Sequence, residues 1–427
     1  MISYKNRKCI IIFFVLLFNF FTRSFSQRVD VKIYSADSLI YGVGQLDNRK
    51  KVGRWEYFTR ENQLIKAGDF TANMENGWWK YYYDNGELKS KVFYDAGIPV
   101  DYFEYYNSGS TKLKGKFVEG KKSGVWIKYY PNGIREKVEE YVEGKREGIV
   151  QIFTPNRELI VEAEYANDTT NGIWKEYNLF SQIVVEGNYL NGLKNNLWRY
   201  YYDNGRIEEQ VFYKYNKRDS IYRAYFSNGQ LSIVGHYKDD LRTGNWRFFY
   251  ENGALFEEGA YKLGEQNGQW FSYYSNGKLK SIGSFIGGLE DELWGSFHEN
   301  GQLKQEERWK MGALWNISPY ITENGDTLNP GSLKNGTGTK IDYYENGKVE
   351  IVCSFLNGHP DGEWKYYLDN GTLAEKGQFK NGIKTGVWKF YHSNGKLESE
   401  GKFKEGEKVG KWDYYYRGGK FKESITH

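Results

Sequence analysis

Cysteine is almost missing from this chain: 427 residues hold two, Cys9 and Cys353. Cys9 falls in the first apolar stretch, so Cys353 is alone in the rest. That excludes an intramolecular disulfide framework and any cysteine-based metal site. Proline is scarce, with six residues. After residue 18 no apolar run is long enough for a transmembrane helix. Charge of one sign is lacking as well. The formal excess of +4 comes from the first 26 residues, which carry Lys5, Arg7, Lys8 and Arg23 and no acid. Without them Lys and Arg fall from 59 to 55, equal to the 55 Asp and Glu. A neutral remainder is no footprint of a nucleic-acid binder.

Residues 1–26 read as a secretory signal peptide. A basic start precedes the apolar run Ile10 to Phe18, and Ser24-Phe25-Ser26 places small residues where a signal peptidase cleaves. The expected location is extracytoplasmic: periplasm, cell envelope or secreted.

What the chain has in plenty is aromatic residues, at 18%, and glycine, with 49. They recur on one register of about 24 residues, and such periods must be sought before ordinary domains are assumed. Trp55, Trp79, Trp126, Trp198, Trp246, Trp270, Trp388 and Trp412 share one column, taken here as position 0. Tyr102, Val150, Tyr222 and Lys340 fill it where Trp is absent. At +3 stands an aromatic such as Tyr82 or Tyr273, at +6 and +7 Asn-Gly as in Asn85-Gly86, at +9 an aliphatic such as Leu88, and at +15 another aromatic such as Phe403. A run such as Trp79 to Tyr83 favours a strand. Asn-Gly is the strongest short hairpin signal and predicts a two-residue type I′ turn. Each repeat therefore reads as one β-hairpin. A two-residue turn pairs position 0 with +13, often Gly, as in Gly68, Gly235 and Gly401. Each indole is expected to cover the glycine it pairs with. Helix is excluded by Asn-Gly in almost every period.

The expected fold is all-β: an elongated antiparallel sheet or solenoid of stacked hairpins. The divisions are the signal peptide at 1–26, an atypical N-terminal capping repeat at 27–54 and tandem hairpin repeats over 55–427. The last ends in a polar tail, Lys420 to His427, and the segment 308–340 is degenerate. About seventeen repeats at two strands each make a ribbon on the order of 150 Å if flat. One hairpin is not stable alone, so each must bury its aromatics against the next.

No catalytic motif emerges. Gly277-Lys278 and Gly395-Lys396 lack the rest of a P-loop and read as turns. The five histidines, His236, His298, His359, His392 and His427, show no metal-ligand spacing with a carboxylate. His298 and His392 occupy +4, where Tyr is commoner, and read as hairpin-end substitutions. Cys353 sits in the small-residue column at +13 and reads as packed. Catalytic, cofactor and metal residues are thus none, no cofactor is expected, and the binding residues are unknown. The columns at +2 and +4 vary among Tyr, Phe, Glu, Lys, Ser and His, and form either an exposed amphipathic stripe or part of the packing.

The repeats resemble MORN repeats, in the variant of the YwqK antitoxin family. The stretch Gly386-Val387-Trp388-Lys389-Phe390-Tyr391-His392-Ser393-Asn394-Gly395-Lys396-Leu397, followed by Glu400-Gly401-Lys402-Phe403, carries the likeness, which spans nearly all of 28–421. The resemblance implies a sheet of successive hairpins that offers a binding surface, with a toxin as partner in that family and membranes or protein scaffolds in MORN proteins more widely. The reading is an exported, non-enzymatic protein-binding or scaffolding module. Glycan or surface-polymer binding through exposed aromatics and membrane association are the alternatives.

Overall fold

A computed structural model describes residues 28–37 and 39–427. The signal-peptide segment lies outside them. The chain forms two compact units, one ending at Gly205 and one beginning at Arg206. Among the described residues there are strands and turns but no helix. In the first unit antiparallel strands follow one another from Val29–Tyr34 to Leu193–Tyr201. In the second they run from Ile207–Lys214 to Ala313–Ile317, and again from Gly338–Tyr343 to Phe421–Thr426. Between those runs lies a small separate pair, Tyr320–Ile321 with Thr327–Leu328. The last residues, expected as a polar tail, include a strand paired with Glu407–Tyr415.

The hairpin turn differs from the expectation. At Asn85-Gly86 the carbonyl of Tyr83 accepts from the Gly86 N–H, and the Tyr83 N–H donates to the carbonyl of Glu87. The loop thus has three residues, Asp84-Asn85-Gly86, and only Gly86 has positive φ, at 86°. This is a type I turn closed by a left-handed glycine bulge, the next commonest hairpin loop. It shifts the ladder by one, pairing Tyr82 with Leu88. A second bulge then skips Lys89, so that Tyr81 pairs with Ser90 and Trp79 with Val92. The two shifts cancel, and position 0 meets +13 as expected.

Asparagine, common at +6, does something further. The Asn394 side-chain oxygen accepts from the N–H of Lys396, while its amide donates to the carbonyl of Arg417 in the next repeat, 2.8 Å away. Asn132, Asn228, Asn252 and Asn346 make the same reach to the next repeat. The type I′ turns lie instead in the connections between repeats. Asn381 and Gly382 have φ of 48° and 76° between the paired Lys380 and Ile383.

The indole contact also differs. Gly68 pairs with Trp55, but the ring over it belongs to Trp79 of the following repeat, and a Cβ on Gly68 would lie 2.3 Å from that ring. The same holds eleven residues before Trp55, Trp126, Trp198, Trp246, Trp270, Trp294, Trp388 and Trp412. A left-handed bulge just before the tryptophan, as at Gly386 with φ of 67°, leaves Gly377 opposite three residues and lets the indole fold back across the strand boundary. Eight of these nine indoles donate Nε1–H to a carbonyl ten residues earlier, as Trp79 does to Asp69 at 3.0 Å. Trp246 is the exception, its N–H buried without a partner.

Where +13 is not glycine, the next position 0 changes. Val92 precedes Tyr102, Glu139 precedes Val150, Val211 precedes Tyr222 and Glu307 precedes Ser318. Trp174 and Trp364 follow Ala163 and Cys353. Their N–H groups bond Glu176 and no partner, respectively.

Two outcomes are expected from this packing. Gly235→Val drives a side chain into the Trp246 ring and destabilises the second unit by about 1–3 kcal/mol. Adding Trp246→Tyr recreates the native Val211–Tyr222 pair and recovers at least about 1 kcal/mol in a double-mutant cycle by urea unfolding. Additive losses would refute the pairing. Arg157 occupies the left-handed position, φ 80°, where most other repeats place Gly. Arg157→Gly stabilises the first unit by about 1 kcal/mol in the same assay.

Candidate functional site

One face of the sheet carries the indoles. An aromatic at +15 of the preceding repeat meets most of these rings edge-on, as Tyr189 meets Trp198 at 5.1 Å and 87° and Phe403 meets Trp412 at 5.2 Å and 89°. Such pairs add about 0.5–1.5 kcal/mol beyond area burial. A cation four residues before the tryptophan covers the ring, with Lys194 at 4.1 Å, Lys384 at 3.9 Å and Lys408 at 4.1 Å from the centroids. The tyrosines at +2 pack here too. Tyr57 lies 6.1 Å from both Trp55 and Trp79, and burial, helped by Glu75, pushes its phenol up to about 12.

The +4 side chains are spent on cohesion. Tyr83, Tyr106, Tyr130, Tyr250, Tyr274 and Tyr344 each donate their hydroxyl to the +3 carbonyl of the next repeat, at 2.7–2.9 Å. His392 places Nε2 3.0 Å from the Tyr415 carbonyl, and His298 places Nε2 2.6 Å from that of Ile321. Both histidines stand in for the tyrosine donor, as expected of hairpin-end substitutions. The opposite face bears cross-strand ion pairs at +1 and +12, such as Arg199 with Glu186 and Lys389 with Glu400. These are part-exposed pairs, each contributing at most about 1 kcal/mol.

The turn positions behave as turns. Lys278 and Lys396 beside their glycines reach carbonyls of the next repeat. Asp239-Asp240 forms a type I′ turn in which the Asp240 carboxylate accepts from the backbone N–H of Arg218 and pairs with its guanidinium.

The degenerate segment replaces the indole with charge. Lys340 stands at position 0 opposite Cys353 and reaches Glu307 at 2.7 Å and Asp342 at 3.1 Å. Burial works against its ammonium, but the two carboxylates outweigh it and hold its pKa above the usual lysine value. Cys353 is 3% exposed, and burial, aided by Asp342, raises its thiol to about 12. It is a packed thiol and not a nucleophile at neutral pH. The structure also brings together His298, Glu323 and Glu345, whose ligand atoms lie within 4.8 Å of one another. The sequence reading missed this grouping because its members lie 25 and 22 residues apart, on successive repeats.

With this geometry in view, the repeats have a counterpart among known families. Nine stretches match the MORN repeat variant. They are residues 75–96, 194–215, 218–239, 242–263, 266–286, 294–311, 337–357, 360–381 and 384–405. MORN repeats are generally binding or scaffolding modules and not enzymes. No curated protein matches the chain. Among solved structures, the crystal structure of TcdB2-TccC3-Cdc42 aligns at 10% identity over 93% of this chain and 30% of its own, with a TM-score of 0.14. That of TcdB2-TccC3-TEV aligns at 10% identity over 91% and 25%, with a TM-score of 0.15. The Photorhabdus luminescens Tc holotoxin pore aligns at 10% identity over 93% and 24%, with a TM-score of 0.12. This chain spans less than a third of each of those chains. At these TM-scores the alignments bear on neither fold nor function.

Lys340 gives a testable consequence. Lys340→Ala leaves Glu307 and Asp342 facing each other without their cation and destabilises the second unit by about 3 kcal/mol at neutral pH in urea unfolding. Because the folded pKa is raised, the lysine's contribution is complete below the unfolded value of 10.5 and fades as pH climbs through the folded one. The gap between wild type and variant therefore stays constant up to that pH and narrows above it.

Proposed function

We propose that this chain is an exported, non-catalytic scaffold whose MORN repeats, of the YwqK-like kind, bind a protein along the edge formed by the turns between repeats. Exposed aliphatic residues on that edge carry the reading. Leu190 and Leu193, paired across one turn, are 39% and 37% exposed, and Ile286 and Leu289, paired across another, are 47% and 44% exposed. Val118 and Val142, at the matching place in their repeats, exceed half exposure. The tryptophans are turned inward and the +4 donors named above are engaged, so these aliphatic pairs, interspersed with lysines such as Lys238 and Lys380 at the same place, are the apolar surface offered to a partner. Scattered exposed aliphatics are ordinary, but aliphatic pairs across the same turn in more than one repeat are the pattern of an interaction surface. Export rests on residues 1–26. The YwqK-like stretch at 386–403 makes a toxin the partner class to try first.

The experiment is affinity capture by residues 27–427 from envelope extract and culture medium, followed by binding measurements with the recovered protein. The double variant Leu190→Lys/Leu193→Lys, checked for folding by circular dichroism, is expected to weaken binding about tenfold or more. Unchanged affinity would remove the edge from the reading. Binding to oligosaccharides with tryptophan quenching, or flotation with liposomes in place of a protein partner, would favour the glycan or membrane alternative.

A further inference from the structure

At the hairpin-turn side of the irregular stretch in the second unit, His298, Glu323 and Glu345 converge from three positions in sequence. We propose that these three side chains bind a divalent transition-metal ion.

The histidine is prepared for it. Its Nε2 lies 2.6 Å from the Ile321 carbonyl oxygen, the contact that tyrosine makes at +4 elsewhere, so Nε2 carries the proton. In the neutral imidazole the lone pair is then on Nδ1, which faces the Glu345 Oε2 at 2.9 Å. A lone pair facing a carboxylate needs a positive centre between them, either a proton on Nδ1 or a metal ion shared by both groups. Donation of the other ring N–H to a backbone carbonyl is the usual way a metal-ligating histidine is oriented. The imidazole is 1% exposed and held, whereas Glu323 and Glu345 are exposed, so an ion can enter from solvent and the carboxylates can close on it.

Tyr320 supplies an independent sign. It is 2% exposed, its ring meets His298 edge-on at 6.0 Å, and its buried hydroxyl has no hydrogen-bond partner. Tyr320 stands between the Ile321 carbonyl that holds the imidazole and the strand Gly338–Tyr343 that leads to Glu345, with the Tyr343 ring 5.3 Å away. Solvent coordinated to an ion would give the hydroxyl its partner. Lys304 holds Oε1 of Glu345 at 2.7 Å, leaving Oε2 for the metal. One imidazole with two carboxylates suits Zn²⁺, Co²⁺ or Mn²⁺ over Mg²⁺ or Ca²⁺, which prefer oxygen alone. The ion would tie together the two sides of the stretch where regular pairing lapses.

The test is calorimetric titration of chelator-stripped residues 27–427 with ZnCl₂, with CoCl₂ absorption as a second readout and MgCl₂ as control. One equivalent of Zn²⁺ is expected to bind and raise the melting temperature. His298→Tyr keeps a donor for the Ile321 carbonyl and removes Nδ1, and it is expected to abolish the site. Glu323→Gln, at an exposed position, is expected to weaken it about tenfold or more. If His298→Tyr fails to fold, Glu323→Gln decides. No saturable binding by the wild type, or one-equivalent binding that survives both substitutions through the other histidines, would overturn the proposal.

Discussion

Everything in this architecture hangs on an indole lying across a strand boundary onto a bare glycine backbone. A hairpin has too little apolar surface to stand alone. Adjacent repeats share a strand ladder, but backbone pairing by itself does not fix register. The tryptophan fixes it three times over. Its face needs a glycine, its N–H needs the carbonyl one residue further on, and its edge needs the aromatic at +15. A slip of one residue would lose all three. That is why glycine and tryptophan vary together along the chain: Val92, Glu139 and Val211 each remove the space for an indole, and each is followed by Tyr or Val.

The two turns of each period have different tasks, and their chemistry follows. The connection between repeats needs only a tight reversal, so a type I′ pair serves, and residues as unlike as Asn381-Gly382 and Asp239-Asp240 can fill it. The hairpin turn must also hold its neighbour. Asparagine supplies an acceptor for its own loop and a donor for the next one, and tyrosine at +4 adds a second donor two residues earlier. Bulges on both sides of every repeat then reconcile these local demands with the register that the indoles impose.

Period, strand identity and the pairing of position 0 with +13 were all legible, because they depend on residues within one hairpin. The errors came from contacts between repeats. Asn-Gly suits a two-residue type I′ turn as well as the three-residue loop found, and the asparagine amide's bond to a carbonyl some 23 residues away is a contact that no local pattern reveals. The indole was assigned to the glycine of its own hairpin, although the signal for the right partner was present: outside the degenerate segment every glycine at +13 has a tryptophan eleven residues later. The +4 histidines were recognised as substitutes for tyrosine. Their second nitrogen was not considered, because what it meets depends on where an irregular segment lets the chain fold back.

That segment is where the indole code stops. Glu307 occupies the glycine column, and Ser318 follows where a tryptophan is otherwise expected. With no indole at position 0, Ala313–Ile317 is short and the next two strands form a pair of their own. What replaces the aromatic contact is electrostatic: Lys340 gathers Glu307 and Asp342, and Glu345 joins Lys304 to His298. Hydrophobic stacking tolerates any neighbour of similar shape, but a buried cation requires particular carboxylates at particular distances. The interruption is therefore more exacting in composition than the repeats around it.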